Sequence, residues 1–481
     1  MANEFENKPY ASSAYIKQIS IWKTGEENEK PYANLLDMAF YFQYFEDIML
    51  PSYGATLIVV DNAENLISNM PIQGFEKVVF EVEDAKKQSY SYEFRIWTVA
   101  NRLNKDRRQM YTLGLISTEA LINEGVRINT VVKGNTAEQV KKILTEKLKV
   151  PSSFVDVEQS LNNIKIIPTK KTPFALIRSL QSKTIPAEAK TKSKVQRLDV
   201  IPFGSTTPQA GGASDVGSGA QKASGSSGYF FFQTRKGFVF KSVDALARHE
   251  SDGGTPTVGK TYYYQYGKGD DENLYKIQEI AYNQEINMMK KLREGSYSSI
   301  LCCLNINTGK YEEIVYSLKD TWDEMYHMGS QTKLPSGQVA LSEYPSRVMS
   351  TIINPECWYS GTGIASSEQS DGSENPSEFP DYQKQYLTQS LARVGIMFTQ
   401  KLTVSLTGQL ELVVGDKIEV RVPNQVPDSE RDKEQWDPES SGTYLVSKLN
   451  HQFDIKNQSV YTVLELIRDS YGIKDKESKV K

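Results

Sequence analysis

A chain of 481 residues exceeds the usual single hydrophobic core, so a division into about two to four domains is expected. Its 56 basic and 60 acidic side chains leave a formal charge of -4, which gives no general electrostatic basis for gripping nucleic acid. Hydrophobic content is 39%, and 27 Tyr with 18 Phe make the aromatic supply Tyr-rich, which points to several small β-rich units.

The opening stretch, MANEFENKPY, is polar and acidic and lacks the basic and apolar regions of a secretory signal. No run approaches the ~20 apolar residues of a membrane span, so no membrane anchor is expected. Cys302 and Cys303 are adjacent and Cys357 is distant, which makes neither a disulfide framework nor a zinc spacing. A chain made in a reducing cytoplasm is the expectation.

Residues 16–22, IKQISIW, show an imperfect period of two and predict a first strand. Strands are predicted again at 55–61, 77–83, 90–100 and 111–117, with a turn at Asp61-Asn62-Ala63 and a bend from Met70 to Gly74. Five or more short strands with polar turns fit a small antiparallel barrel or sandwich. From about 119 to 185 the period changes to 3.6. Asn135 and Glu138 have the spacing of a capping box, and Val140, Ile143, Leu144 and Leu148 form one apolar face that stops at Pro151. A second helix begins at Thr172-Pro173, with proline in its tolerated first turn, and carries Phe174, Ile177 and Leu180 inward. Residues 187–228 are dominated by Gly, Ser and Ala, have little to bury, and read as a loop or linker.

That segment leads into YFFFQTRKGFVFKS at 229–242. Tyr229 to Thr234 is aromatic and β-prone, Arg235-Lys236-Gly237 is a polar turn, and Phe238 to Ser242 alternates, which together make a hairpin. Gly237 suits the left-handed position, since glycine takes positive φ without a Cβ clash. Phe238 and Phe240 share a face, whereas Phe230, Phe231 and Phe232 put aromatics on both faces of the first strand. Such a ribbon needs cover on both sides. Beyond it, 261–266 is another aromatic run, Thr308-Gly309 a turn between two strands, and 362–382 a Ser-, Glu- and Pro-rich loop. The last unit alternates through Leu402, Val404 and Leu406, turns at Gly415-Asp416, and resumes through Ile418, Val420 and Val422. Two more strands follow, the first beginning near Gly442, around a turn at Lys456-Asn457. This is a second barrel signature.

Three patterns suggest chemistry. GTPTVGKT at 254–261 satisfies the phosphate-loop pattern, but it is entered by the polar ALARHESDGG and left by the strand-like YYYQYGKG, where a strand and a helix are needed. His249, His327 and His451 are far apart with no partner at ligand or triad spacing, and read as surface or packing residues. The acidic runs 270–272 and 428–432 lack calcium-loop spacing and read as solvated loop charge.

Taken in order, several stretches resemble the central baseplate hub proteins of contractile-tailed phages, related to the N-terminal part of type VI secretion spike proteins. Tyr44-Phe45-Glu46-Asp47-Ile48, continuing through LPSYGATLIVVD to MPIQGFEKVVFEV, resembles the family's first barrel. TPFALIRSLQSKTIP and the aromatic hairpin resemble its middle module. REGSYSSILCCLNINTGKYEE, VVGDKIEVRVP, SGTYLVSKLNHQF and LIRDSYG resemble its second barrel. The structural signature positions are then Tyr44, Glu46, Phe230, Phe232, Gly237, Phe238, Phe240, Gly415, Asp416 and Gly442. The resemblance implies a homotrimer whose two similar barrels per subunit give six around a channel, so that a six-fold tail tube can join a three-fold spike. It implies the tail tube protein, the spike and other baseplate proteins as partners, DNA passing through without specific binding, a place in the virion, no cofactor and no active site. The 187–228 insert is longer and richer in Gly and Ser than the family pattern.

The expected architecture is mainly β with an α+β spacer. A first barrel spans 1–118, a helix-containing middle module 119–186, the insert 187–228, and the hairpin with strands of the middle module or second barrel 229–330. A loop-rich connection over 331–395, the rest of the second barrel over 396–471 and a charged tail at 472–481 complete it. The alternatives are a nucleotide-binding enzyme using 254–261 and the hub of a type VI-like injection spike. Against the latter, only a charged tail follows LIRDSYG, with no repetitive needle.

Overall fold

The computed structural model describes residues 12–27, 30–61, 66–105, 108–187, 196–197, 226–264, 274–282, 287–304, 311–330, 334–352, 381–424 and 436–472. Most of the insert, residues 62–63 and 308–309 of the expected turns, residues 362–380 of the loop expected at 362–382, both acidic runs and nearly all of the tail lie outside the described residues, whereas Asp61 ends a strand and residues 381–382 begin a helix.

The first strands are β1 (Ala14–Trp22), β2 (Ala33–Asn34), β3 (Ala39–Asp47), β4 (Gly54–Asp61), β5 (Lys77–Asp84), β6 (Ser89–Lys105) and β7 (Arg108–Ile116), with a one-turn helix α1 (Leu66–Asn69). Next come α2 (Thr118–Gly125), β8 (Val132–Asn135), α3 (Thr136–Lys142), β9 (Val155–Val157), β10 (Asn163–Ile166) and α4 (Pro173–Gln181). After the short β11 (Gln196–Arg197) follow β12 (Tyr229–Thr234), β13 (Gly237–Ser242), α5 (Val243–Ala247), β14 (Tyr262–Tyr264) and β15 (Lys276–Tyr282). A nested unit holds α6 (Met288–Glu294), β16 (Ser298–Leu304), β17 (Tyr311–Ser317), α7 (Leu318–Thr321), α8 (Ser336–Ser342), β18 (Arg347–Ile352) and α9 (Asp381–Met397). The chain then makes β19 (Gln400–Thr407), β20 (Lys417–Arg421), β21 (Gly442–Asp454) and β22 (Ser459–Arg468).

Two barrels share one hairpin. In the second barrel β21, β20, β14, β15, β19 and β22 pair in that order, and β22 returns to β21, so the ring is closed. All these pairings are antiparallel except those of β14, which runs parallel to both neighbours. The first barrel is an antiparallel wall in the order β1, β5, β6, β7, β4, β3. It has no partner of its own for β3; β3 instead pairs with the far half of β21, Asp47 opposite Lys448 through Tyr41 opposite Asp454. On the other side Ala14 N donates to Gln458 O (2.9 Å) and Val460 N to Ser12 O (2.8 Å), so the β21–β22 tip closes the first barrel as well. A bulge between Val446 and Lys448 marks where the hairpin leaves one barrel for the other, the re-aiming that an extra residue produces.

Period-two alternation fills the first barrel. Phe42 and Tyr44, Leu57 and Val59, Phe80 and Val82, Tyr92 and Phe94, and Leu113 and Leu115 point in and are buried. The shared hairpin adds Leu449, His451 and Phe453, and the Phe42, Phe80 and Phe453 rings sit 4.0 to 5.6 Å apart. The second barrel is filled by Leu402, Val404, Leu406, Ile418, Val420, Tyr444, Leu464 and Leu466 in one continuous core with the first.

The spacer helices form as the sequence predicts. Asn135 caps α3, its side chain accepting from Ala137 N (3.1 Å), and Val140, Ile143, Leu144 and Leu148 are buried. Thr172 caps α4 ahead of Pro173, and Phe174, Ile177 and Leu180 face inward. The nested unit carries a separate sheet, β11-β17-β16-β18, against α9.

Candidate functional site

The aromatic hairpin forms between β12 and β13, with Thr234 opposite Gly237 and a turn at Arg235-Lys236. It lies in its own three-stranded sheet, where β13 also pairs parallel with β9. Its two faces are covered by different cores, as aromatics on both sides require. Tyr229, Phe231, Phe238 and Phe240 join α3 and α4 in the helical core, with Phe231 stacked on Phe238 (5.9 Å) and Phe174 edge-on to Phe231 (5.8 Å). Phe230 and Phe232 enter the core of the barrels. The hairpin is therefore the wall common to spacer and barrels. Gly237 sits at φ +129°, and a Cβ there would run into the Phe154 carbonyl, so the approach of β9 admits only glycine.

The hairpin tip meets a buried carboxylate. Glu46 on β3 accepts at Oε1 from Tyr44 Oη (2.5 Å) and from the Arg235 amide (2.7 Å), and at Oε2 from the Val414 amide (2.8 Å). One side chain of the first barrel thus holds both the hairpin tip and the β19–β20 connection of the second barrel. Gly415, at φ +89°, lies in that connection, and a Cβ on it would be 2.8 Å from the Phe232 ring. Asp416 accepts from Val413 N (3.0 Å) and pairs with Lys236 (3.4 Å). The Arg235 guanidinium lies over Tyr90 and Tyr92, 4.9 and 5.9 Å from their ring centres, and donates to Leu410 O (3.3 Å).

Burial sets the electrostatics of this junction. It pushes the Glu46 carboxyl up to about 7, against the pull of its three donors and of Arg235. Burial also raises Asp416, with Lys236 opposing. His451, stacked 6.0 Å from Tyr44 inside the barrel, is pushed down to about 3 by burial and by Arg235, and its Nδ1 meets Thr462 Oγ1 at 2.9 Å.

The signature residues therefore fall into groups. Tyr44, Glu46, Phe232, Gly415 and Asp416 converge on the hairpin tip. Phe238 and Phe240 face the spacer, and Phe230 meets Phe398 edge-on at 6.4 Å. Gly442 stands apart at the start of β21, at φ +135°, where a Cβ would lie 2.6 Å from the Arg468 guanidinium.

Sequence reasoning missed Arg235, whose polar-turn context gave no sign of its stacking, and a buried ion cluster. In the cluster Arg393 of α9 pairs with Asp244 of α5 (2.8 Å) and with Asp469 after β22 (2.7 Å), and donates to Tyr326 O (2.6 Å). His327 contacts Asp469 (3.0 Å) and Trp322 O (2.8 Å), and Ser226 Oγ donates to Asp244 (2.6 Å). Burial works against the Asp469 charge, but Arg393 and His327 hold its carboxyl below the ordinary range. This cluster fastens the nested unit to the barrels.

The phosphate-loop pattern at 254–261 is built into a barrel. The segment runs directly into β14, a barrel strand, where a phosphate loop is followed by a helix. Gly254 is needed because a Cβ would meet the Arg248 carbonyl, and Val258 N bonds to Lys417 O (2.8 Å), tying the loop to β20. Among the described residues no cluster of three or more His, Cys, Asp or Glu is placed to hold a metal ion, and no helix is long and apolar enough to cross a membrane.

No protein-family description and no curated protein sequence matches this chain. Solved structures do. A tail protein from Neisseria meningitidis MC58 aligns at a TM-score of 0.50 and 10% identity, over 94% of this chain and 96% of that one. A 43 kDa tail protein of prophage MuSo2 from Shewanella oneidensis aligns at 0.48 and 8% identity, over 94% and 98%, and prophage tail protein gp18 from Listeria monocytogenes at 0.42 and 9%, over 96% of each chain. The first likeness spans nearly the whole of both chains: this chain has the fold of a tail protein, and at the level of fold the resemblance drawn from its sequence holds.

Proposed function

We propose that this chain is the central structural hub of a phage-type tail baseplate, present as a homotrimer. Three subunits would place six barrels in a ring, matching a six-fold tail tube on one face and a three-fold spike on the other, and leaving a channel for DNA. The observation that supports this most is the shared β21–β22 hairpin, which holds two barrels of one chain in fixed relation. The protein acts by geometry: the convergent polar groups at Glu46 are occupied in joining elements. Tube, spike and other baseplate proteins are its partners, DNA passes without specific binding, and the virion is its location.

Particle mass tests the reading. Purified chain mixed with tube and spike proteins is expected in particles that hold three copies of it, with a mass of three monomers plus the bound partners. A chain that stays monomeric with both partners present contradicts it.

A further inference from the structure

A narrow cleft opens where the nested unit meets the segment that follows β22. Its apolar wall is formed by Leu318, Trp322 and Ile396, all buried. Set into the same cleft are three hydrogen-bond donors from one short stretch, Lys291 of α6 with Ser296 and Tyr297 just ahead of β16. They come together because α6 ends at Gly295, whose φ of +71° stops the helix and turns the chain into the strand.

These donors lack acceptors. Lys291 Nζ carries three N–H groups, yet among the described residues its one hydrogen-bond partner is Thr399 Oγ1 (3.3 Å) and it makes no ion pair. Burial pushes the Lys291 ammonium down, with Glu294 opposing. Tyr297, 4% exposed, accepts from Gln338 Nε2 (3.3 Å), and its own O–H meets only the Met288 thioether (3.7 Å), a weak acceptor. Ser296 is 2% exposed, and its hydroxyl has no partner among the described residues. The one carboxylate that lines the cleft, Asp469, is already saturated. Its Oδ1 accepts from Met328 N (3.0 Å) and Ser470 Oγ (2.9 Å), and its Oδ2 meets Arg393 (2.7 Å) and His327 (3.0 Å).

We propose that this cleft binds a carboxylate carried on a short apolar stem. The carboxylate oxygens accept from Lys291 Nζ, Tyr297 Oη and Ser296 Oγ, which gives each donor the acceptor that the chain itself does not provide. The stem lies against Trp322, Leu318 and Ile396. A neutral amide of the same shape would set its NH2 group among donors, so the cleft discriminates against it. A free small acid and the C-terminus of a protein chain present the same group. Such binding involves one subunit and does not depend on a trimer.

The test uses the full chain with isotope-labelled Ile methyl groups and four probes: butyrate, butyramide, and acetyl-Ala-Val with a free or an amidated C-terminus. Butyrate is expected to shift the Ile396 methyl resonance saturably, and butyramide to bind about tenfold more weakly or worse. Lys291→Met should weaken butyrate binding by about tenfold or more while thermal stability is kept, and Tyr297→Phe should weaken it by a smaller factor. A free-ended dipeptide that binds more tightly than butyrate supports a chain end as the natural ligand, and the reverse order supports a free small acid. Equal binding of butyrate and butyramide would overturn the proposal. So would an Ile396 resonance that never saturates, or butyrate affinity left unchanged by Lys291→Met; if that variant fails to fold, unchanged affinity in Tyr297→Phe decides against the site.

Discussion

Glu46 shows how a single residue can join three elements and carry a cost in doing so. Its carboxyl titrates at about 7 in the fold because burial outweighs its donors, against about 4.5 when unfolded. The folded state therefore holds the proton over a pH range where the unfolded chain has lost it. Stability from this group is present below about 4.5 and declines as pH rises through 7, by about 3 kcal/mol in all. Urea unfolding of the wild type and Glu46→Gln across pH 4 to 8 isolates this: the wild-type advantage should shrink as pH rises, and a constant or growing difference refutes it. Gly237 and Gly253 give a second contrast. Both take positive φ, but only at Gly237 would a Cβ meet backbone. Gly253→Ala should cost about 1 kcal/mol from conformation alone, and Gly237→Ala clearly more, read as midpoints in the same unfolding assay. The sequence marked Gly237 through its turn context. It did not show that Glu46 receives the amides of Arg235 and Val414, since those contacts join residues 189 and 368 positions apart.

At the scale of elements, the aromatic hairpin and the ion cluster fasten different modules. Phe238→Ala with Phe240→Ala empties the helical-core face, at about 3 to 5 kcal/mol per buried Phe. Unchanged thermal stability in that double variant would remove the hairpin from its place as a common wall. Arg393→Met leaves Asp244 and Asp469 buried without their cation, a loss of about 3 to 5 kcal/mol; a transition temperature equal to wild type would show the cluster to be dispensable. Hairpins and capped helices were legible because their signals are local: alternation from Leu402 to Leu406, the cap at Asn135, the proline at 173. The closure of the second barrel was not. It pairs Tyr282 with Leu402 across the whole nested unit, and no period within either strand encodes its partner. Nor was the double use of β21, because alternation in Leu449, His451 and Phe453 shows a buried face without saying which barrel it fills.

For the whole molecule, the shared hairpin joins the two barrels through one sheet and one core, and the proposed hub depends on that pairing being repeated by symmetry. A ring built from such pairs has true three-fold and approximate six-fold character, which neither barrel alone could impose. The most direct measurement is the rotational symmetry of the particle, from electron-microscope class averages of the chain mixed with a tail-tube protein and viewed down the symmetry axis. The expected particle is a three-fold ring with six similar densities around an open centre. A two-fold particle, or a ring with no repeat at the spacing of the two barrels, would contradict it.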